Sequence, residues 1–284
     1  MQTIHPRNSA QLVAIARAVH QLLDEPRILD DSLALSLLGT ELRDAVVVDP
    51  FQYNDPGARS MRAGIVARTL LAEEYLDVAV ADGVGQIVVL GAGMDSYGVR
   101  QGTTIPKVCL FEVDRPEMLT QKQAMITESS LHVPHNLRFV PADLQQDDWV
   151  DVLVQHGFDR HKPAAISCLG LTPYLDVEQV RRLLSEVSEL PPGSCLVFDY
   201  RVCTELLNTI EQAIVAFSER VFAAMGEPWL SQFAPASLVE ELETMGFAEV
   251  RNFDVTELNR RYFARRKDGL QVAGGGFNYI VARR

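Results

Sequence analysis

The spacing of apolar residues changes near residue 83 of this 284-residue chain. Before that point they recur at helical intervals, and Ser9 could cap the first helix. The apolar positions of this helix are Leu12, Ile15, Ala16, Val19, Leu22 and Leu23. A second helix is predicted from Asp31 to Leu38, then a loop with two prolines, then a long helix from Ala58 to Asp82. Residues 1–82 are therefore expected to form a helical cap with a lead-in helix.

After residue 83, short apolar runs alternate with helical segments. Five runs have the length and composition of buried strands: QIVVLG, KVCLFEVD, LRFVPAD, AAISCLG and SCLVFDY. Near-continuous apolar strands that alternate with helices indicate a parallel sheet covered on both faces. The sequence therefore predicts an α/β fold with a Rossmann-like sheet.

The last third of the chain follows a different pattern. A long amphipathic helix is predicted from its apolar positions Leu206, Ile210, Ile214, Phe217, Val221 and Met225. The runs FAEVRNFDV and FNYIVARR predict two closing strands with an antiparallel, hairpin-like edge. We expect one domain over residues 1–284, with a core over 83–284 and a helical insertion at about 201–233.

The composition and charge of the chain limit the binding partners and the cellular location that are expected for the protein. Hydrophobic residues make up 47% of the chain, and the net charge of −12 disfavours nucleic acid as a partner. No apolar run reaches the roughly 18 residues of a membrane span. The four cysteines form no CxxC pair, so no metal site is predicted. Because the start MQTIHPRNSA also lacks an apolar leader core, a cytoplasmic location is expected.

A glycine-rich turn follows the first predicted strand. Gly91, Ala92 and Gly93 stand where open α/β sheets bind nucleotides, and glycine lets a ligand approach the backbone closely. Ser96 occupies the third glycine position of a dinucleotide fingerprint, which weakens that interpretation. Taken alone, the turn is also compatible with glycines that serve only packing.

Two further strand ends carry carboxylates. Asp114 lies 114 − 93 = 21 residues after Gly93, where it could accept hydrogen bonds from both hydroxyls of a ribose. Asp143 ends the third strand, where its carboxylate could accept an adenine amine while the Leu144 amide faces a ring nitrogen. Together with the glycine turn they predict an adenosine site. For each aspartate, the alternative is a helix N-cap.

Several segments resemble the leucine carboxyl methyltransferase family, which includes polyketide O-methyltransferases of the tetracenomycin type. The resemblance rests on GQIVVLGAGMDSYGVR, FEVDRPEM and PADLQQDDW in this order, with support from RAGIVARTLL, GLTPYL, PPGSCLVFDY and GEPW. It implies S-adenosylmethionine as cofactor. It places Arg68 on the methionine carboxylate, Gly91 by the methionine portion, Asp114 on the ribose, and Asp143 with Leu144 on the adenine.

One position departs from the family pattern. After the fourth strand the family usually reads Glu-Gly-Leu-x-x-Tyr-Leu, whereas Leu169 stands here in place of the glutamate. The resemblance places that glutamate near the methionine end of the cofactor and the acceptor. Its replacement leaves the cofactor amine one partner short or alters the acceptor pocket.

The methyl acceptor is expected to be a small molecule with a carboxylate or hydroxyl oxygen. No histidine lies at a strand end that faces the expected site, so no catalytic base is nominated, which favours a carboxylate or an acidic phenol. Tyr174, Arg201 and Trp229 are the candidate acceptor-binding residues, although each could equally serve packing.

Two alternative functions remain open, and the oligomeric state is not predicted. The first is a cofactor-binding protein that does not catalyse, which the Leu169 departure favours. The second is an NAD-dependent dehydrogenase, which the missing third glycine and the absence of a Tyr-x-x-x-Lys motif disfavour.

Overall fold

A computed structural model describes residue 6 and residues 8–284. Residues 1–5 and 7, on which part of the leader expectation rests, lie outside the described residues. The helices are α1 (Ser9–Leu23), α2 (Thr40–Val48), α3 (Pro56–Ala81), α4 (Tyr97–Gln101), α5 (Pro116–Glu128), α6 (Trp149–Gln155), α7 (Val177–Ser188), α8 (Thr209–Ala224), α9 (Pro235–Thr244) and α10 (Val255–Leu258). The strands are β1 (Gln86–Leu90), β2 (Cys109–Asp114), β3 (Leu137–Pro141), β4 (Ala165–Cys168), β5 (Cys195–Arg201), β6 (Glu249–Phe253) and β7 (Phe277–Arg283).

The seven strands form one sheet in the order β3-β2-β1-β4-β5-β7-β6. Strands β1 to β5 are parallel, and β7 runs antiparallel to both β5 and β6. The predicted mostly parallel sheet with an antiparallel edge is therefore confirmed. Because β2 and β4 flank β1, the strand order reverses at β1, and a crevice opens there at the carboxyl ends of the strands.

Side chains along each strand point alternately to the two faces of the sheet, which explains why helices cover both faces. Val88 and Leu90 pack into the cluster that includes residues of α6, α7 and α9. Their neighbours Ile87 and Val89 join the opposite cluster, which includes residues of α3 and α5. Successive strand side chains point to opposite faces, so a strand that is apolar at every position needs a cover on each side.

The segment between α1 and α3 differs from the prediction. Residues 31–38 form turns that end in a short 3₁₀ turn, Ser36–Leu38, and not the predicted helix. Asp31 explains this, because its carboxylate accepts hydrogen bonds from Arg17 and Ser96 and holds the segment against the glycine turn. Helix α2, which was predicted as loop, follows Gly39. Asn8, rather than Ser9, caps α1.

Helix α8 lies where the apolar spacing predicted it, yet much of its apolar stripe faces solvent. Ile210, Ile214 and Phe217 are 74%, 47% and 62% exposed, and Val215 is the buried residue of the helix. The helix belongs to the segment between Val202 and Phe233, which are joined by an isolated β-bridge. Periodicity therefore identified the helix but not the face that packs against the sheet.

Candidate functional site

A cavity of about 450 Å³ lies at the carboxyl ends of β1, β2 and β4. Its size falls within the range of about 300–1,000 Å³ typical of small-molecule pockets. The first half of α1 and the segment 226–230 close it from outside, and α3 forms a side wall. These two outer elements are joined, because the Ser9 amide donates to Glu227 Oε2 at 2.8 Å. The cavity therefore occupies the switch point that the strand order creates.

The glycine turn lies on the floor of this cavity in a conformation that needs glycine. Gly91 and Gly93 have φ values of +66° and +45°, which side chains with a Cβ rarely adopt. A Cβ on Gly91 would also lie 3.1 Å from the Leu171 Cβ. Gly91, Ala92 and Gly93 all line the cavity, so bare backbone faces the space where a ligand would lie.

Asp114 is held beside the glycine turn by two backbone amides. Its Oδ2 accepts from the Gly93 amide at 2.7 Å, and its Oδ1 accepts from the Arg115 amide at 2.8 Å. Burial raises the pKa of this carboxyl above its ordinary value, and the two amide donors oppose that rise. Each carboxylate oxygen has a second lone pair, so Asp114 can still accept hydrogen bonds from a ligand.

Asp143 and Leu144 lie along the cavity wall beyond Asp114. The Asp143 carboxylate accepts from the Gln145 amide at 3.0 Å and from Gln146 Nε2 at 2.9 Å. These contacts stabilise the turn after β3 and leave the carboxylate at the cavity. The structure thus brings the three predicted strand ends, at Gly91 to Gly93, Asp114 and Asp143, to one wall.

Arg68 projects from α3 into the cavity from the other side. Its Nη1 donates to Asp199 Oδ2 at 2.7 Å, and the other carboxylate oxygen, Oδ1, accepts from the Gly170 amide at 2.6 Å. Asp199 is fully buried, so this pair fixes the guanidinium at the carboxyl end of β4. Gly170, at φ +67°, leaves room for it, because a Cβ there would lie 2.9 Å from Arg68 Nη2.

Leu169 lines the cavity at the position where the family pattern has a glutamate. The pairing of Cys168 with Phe198 places Asp199 beside Leu169 on the neighbouring strand. The carboxylate near this point therefore comes from β5, and it already binds Arg68 and the Gly170 amide.

Arg17 is a cavity residue that the sequence analysis missed. It is 3% exposed and donates to Asp95 at 2.9 Å and to Asp31 at 2.5 Å, which ties α1 to the glycine turn. Its buried Nε has no hydrogen-bond partner among the described residues. A signal was available, since an arginine between Ala16 and Ala18 interrupts an apolar helix face.

Tyr174 and Trp229 line the cavity, whereas Arg201 is not among its described lining residues. Arg201 is buried, packs over the Trp229 ring at 4.8 Å and forms an ion pair with Glu219. It supports Trp229 from behind. The structure therefore places Arg201 behind Trp229, held by Glu219, and contact of Arg201 with the acceptor stays a prediction.

The aromatic end of the cavity is a packed group. Trp229 stacks on Phe222 at 4.9 Å and meets Phe277 edge to face at 5.4 Å. Tyr174 lies edge to face with Phe222 at 6.5 Å, and burial raises the pKa of its hydroxyl, so Tyr174 stays neutral at ordinary pH.

Residues 10–188 match the family model of leucine carboxyl methyltransferases. The chain belongs to the leucine carboxyl methyltransferase family. This assignment favours methyl transfer over the hydride transfer of a dehydrogenase.

Proteins of similar sequence are named as methyltransferases. A Bacillus subtilis strain 168 protein, named as the S-adenosyl-L-methionine-dependent methyltransferase YktD, is 29% identical over 280 residues, covering 91% of this chain and 92% of its own. A similarly named protein of Mycobacterium tuberculosis strain H37Rv is 34% identical over 206 residues, covering 67% of this chain and 65% of its own.

Solved structures share the fold. A protein of Thermobifida fusca YX described as a methyltransferase aligns with a TM-score of 0.60 at 19% identity, covering 98% of this chain and 94% of that one. A DUF574 family protein of Streptomyces avermitilis aligns with a TM-score of 0.61 at 17% identity and 96% coverage of both chains.

The described part of the chain contains neither a metal-binding cluster nor a membrane-spanning helix. Within residue 6 and residues 8–284, no three His, Cys, Asp or Glu side chains converge as a metal site. Over the same residues, no helix combines the length and apolarity needed to cross a membrane.

Proposed function

We propose that the protein binds S-adenosylmethionine in the 450 Å³ cavity and catalyses methyl transfer to a carboxylate or hydroxyl oxygen of a small molecule. The observation that carries the proposal is the arrangement of the glycine turn, Asp114 and Asp143 along one wall, with Arg68 opposite. The glycine backbone would face the methionine portion of the cofactor. The two carboxylates would face its ribose and its adenine, and the guanidinium would face its carboxylate.

The described residues fit the cofactor in chemistry as well as in order. Asp114 has free lone pairs for ribose hydroxyls, and Asp143 with Leu144 borders the space assigned to the adenine. Gly91 lines the cavity where the methionine portion would lie. The guanidinium of Arg68 can hold a carboxylate with two parallel hydrogen bonds.

When bound, the cofactor supplies a methyl group activated by a positively charged sulfur. In such a transfer the acceptor oxygen would provide the electron pair of the new O–C bond, and the sulfur would keep the pair of the broken C–S bond. A carboxylate acceptor releases no proton and needs no base. No histidine lines the cavity among the described residues, which supports an ionised acceptor. Orientation by the cavity walls then accounts for much of the acceleration.

A catalytically inactive cofactor-binding protein is the second candidate, and Leu169 favours it. The side chain is apolar, and the adjacent carboxylate of Asp199 is already bound to Arg68 and Gly170. Binding without turnover of any acceptor is the result that would support this candidate.

The test combines binding and turnover. We expect S-adenosylhomocysteine to bind in calorimetry with micromolar affinity, and a panel of carboxylic acids and phenols to yield methylated product by mass spectrometry. Polyketide acids belong in the panel because of the tetracenomycin-type resemblance. The absence of both binding heat and a thermal shift with S-adenosylmethionine and S-adenosylhomocysteine would contradict the proposal.

Since all four cysteines are free thiols, we propose that the reaction takes place in the cytoplasm.

Replacing Arg68 with lysine is expected to weaken S-adenosylhomocysteine binding about tenfold and adenosine binding by less than twofold. Lysine keeps the charge next to Asp199 but loses the two-pronged contact with a carboxylate, which adenosine lacks. Calorimetry with both ligands measures the difference, and Arg43→Lys on α2, outside the cavity, is the control. Equal losses for the two ligands would show that Arg68 acts only through the fold.

A further inference from the structure

The side of the cavity that faces outward carries a carboxylate, that of Glu227. Glu227 belongs to the segment 226–230, which closes the cavity together with the first half of α1. The glycine turn, Asp114 and Asp143 lie instead on the wall that the strand ends form. Glu227 is therefore separate from the groups that are proposed to hold the ribose and the adenine of the cofactor.

Glu227 differs from the other carboxylates of the cavity in its hydrogen bonds. In Asp95, Asp114 and Asp143, each of the two oxygens already accepts a hydrogen bond. In Glu227, Oε2 accepts from the Ser9 amide at 2.8 Å, whereas no described residue donates to Oε1. One oxygen of a half-buried carboxylate is thus left for a ligand, and a charged donor would form the strongest hydrogen bond with it.

The surroundings of Glu227 are aromatic. Tyr174, Phe222 and Trp229 line the same cavity, and their rings pack against one another. Burial raises the pKa of the Tyr174 hydroxyl, hydrogen bonds with Ser9 and Trp229 lower it, and the nearby charge of Glu227 raises it. Tyr174 therefore lies close to Glu227 as a neutral phenol. Aromatic rings attract cations electrostatically, so a carboxylate among them favours a cation over an anion.

The described cations of the cavity interior do not neutralise Glu227. Arg17 donates to Asp95, and Arg68 donates to Asp199, so each of these buried or partly buried guanidinium groups has an aspartate of its own. None of the ion pairs between described residues includes Glu227. The net charge of −12 adds a general attraction for positively charged ligands.

We propose that the methyl acceptor carries a positively charged amino group and that Glu227 Oε1 binds this group. The inference rests on the proposed function and adds the substrate class, an amine that also bears the acceptor oxygen. The amino group would lie at the aromatic end of the cavity, beside Tyr174. A protonated amine has no lone pair and cannot accept a methyl group, so its binding as a cation directs the transfer to the oxygen.

Glu227→Gln removes the charge and keeps the local structure. The side-chain carbonyl of glutamine can still accept from the Ser9 amide, so the contact between α1 and the segment 226–230 is retained. Glu240→Gln is the matched control, because Glu240 is an exposed residue of α9 and is not among the described lining residues of the cavity.

The experiment measures tyramine and 4-ethylphenol binding by calorimetry to the protein saturated with S-adenosylhomocysteine. The two probes share the ring and the two-carbon chain, and tyramine adds a positively charged amino group. We expect tyramine to bind the wild type at least tenfold more tightly than 4-ethylphenol. Glu227→Gln should weaken tyramine binding at least tenfold and change 4-ethylphenol and S-adenosylhomocysteine binding by less than twofold. Glu240→Gln should resemble the wild type.

Three results would overturn the inference while the proposed function stands. The first is tyramine binding no tighter than that of 4-ethylphenol in the wild type, and the second is unchanged tyramine affinity in Glu227→Gln. The third is a tenfold loss of S-adenosylhomocysteine affinity in Glu227→Gln, which would assign Glu227 to the cofactor site. By contrast, no binding of S-adenosylhomocysteine to the wild type would contradict the proposed function, and the inference would fail with it.

Discussion

Asp114→Ala is expected to weaken S-adenosylhomocysteine binding by 100-fold or more. The carboxylate lies at the end of β2 beside the glycine turn, with lone pairs available for both ribose hydroxyls. Hydrogen bonds to a charged group contribute about 1.5–3 kcal/mol each, and two would be lost. The substitution also frees the Gly93 amide, so the turn itself would lose a support. Calorimetry gives the affinity, and thermal unfolding gives the stability of the same variant.

The choice of variants separates ligand binding from a purely structural role. Asp114→Asn keeps the shape but removes the charge, so we expect it to lie between alanine and wild type in affinity. Glu117→Ala, in the first turn of α5 and outside the cavity, is the matched carboxylate control. A loss of about 1 kcal/mol in stability with unchanged affinity would show that Asp114 is a structural cap only.

Asp24→Ala is expected to lower the free energy of unfolding by about 3–5 kcal/mol, the usual cost of breaking a buried ion pair. The Asp24 carboxylate accepts from Arg62 Nε at 2.8 Å and from Arg62 Nη2 at 3.0 Å, and it binds His20 at 2.7 Å. Arg62 is 1% exposed, so its charge would remain without a carboxylate partner. This pair joins the end of α1 to α3. Its loss should loosen the helices that cover the cavity.

The stability difference should depend on pH in a defined direction. Burial pushes the pKa of Asp24 upward, but hydrogen bonds from His20 and Arg62 outweigh it, and the net pKa is lowered. A lowered pKa in the folded state stabilises the protein above the unfolded value of about 3.9. That contribution is lost as pH falls through the folded pKa. The gap between wild type and Asp24→Ala should therefore be full at pH 6 and shrink below about pH 4.

Urea unfolding at several pH values measures this gap. The control is Asp30→Ala, because Asp30 is 84% exposed and pairs with Arg27 at 3.6 Å on the surface. It should change stability by less than about 0.5 kcal/mol. If Asp24→Ala lowered the free energy of unfolding equally little, water would have to solvate Arg62, and the buried pair would not hold α1 against α3.

The sequence by itself determined the fold class and the positions of the strands. Strands with nearly continuous apolar residues, such as Gln86–Leu90, need cover on both faces wherever they occur, so periodicity and length sufficed. The convergence of the glycine turn, Asp114 and Asp143 was also predicted from position alone, because the ends of parallel strands converge at one edge of a sheet. These are local patterns with a fixed geometric consequence.

The tertiary structure decided which charged residues act together. Asp199 lies within an apolar strand, and its ion pair with Arg68 explains why a charge is buried there. Arg17 lies within an apolar helix face, and its ion pair with Asp95 explains it in the same way. The same holds for Arg201, which the ion pair with Glu219 holds against Trp229.

Packing also overruled local preference in two elements. Residues 31–38 have helical spacing, yet the buried contacts of Asp31 with Arg17 and Ser96 hold them in turns. Helix α8 has a clear apolar stripe, yet much of that stripe faces solvent. Periodicity defines the faces of an element, whereas contacts distant in sequence decide which face is covered, and those contacts form only in the folded chain.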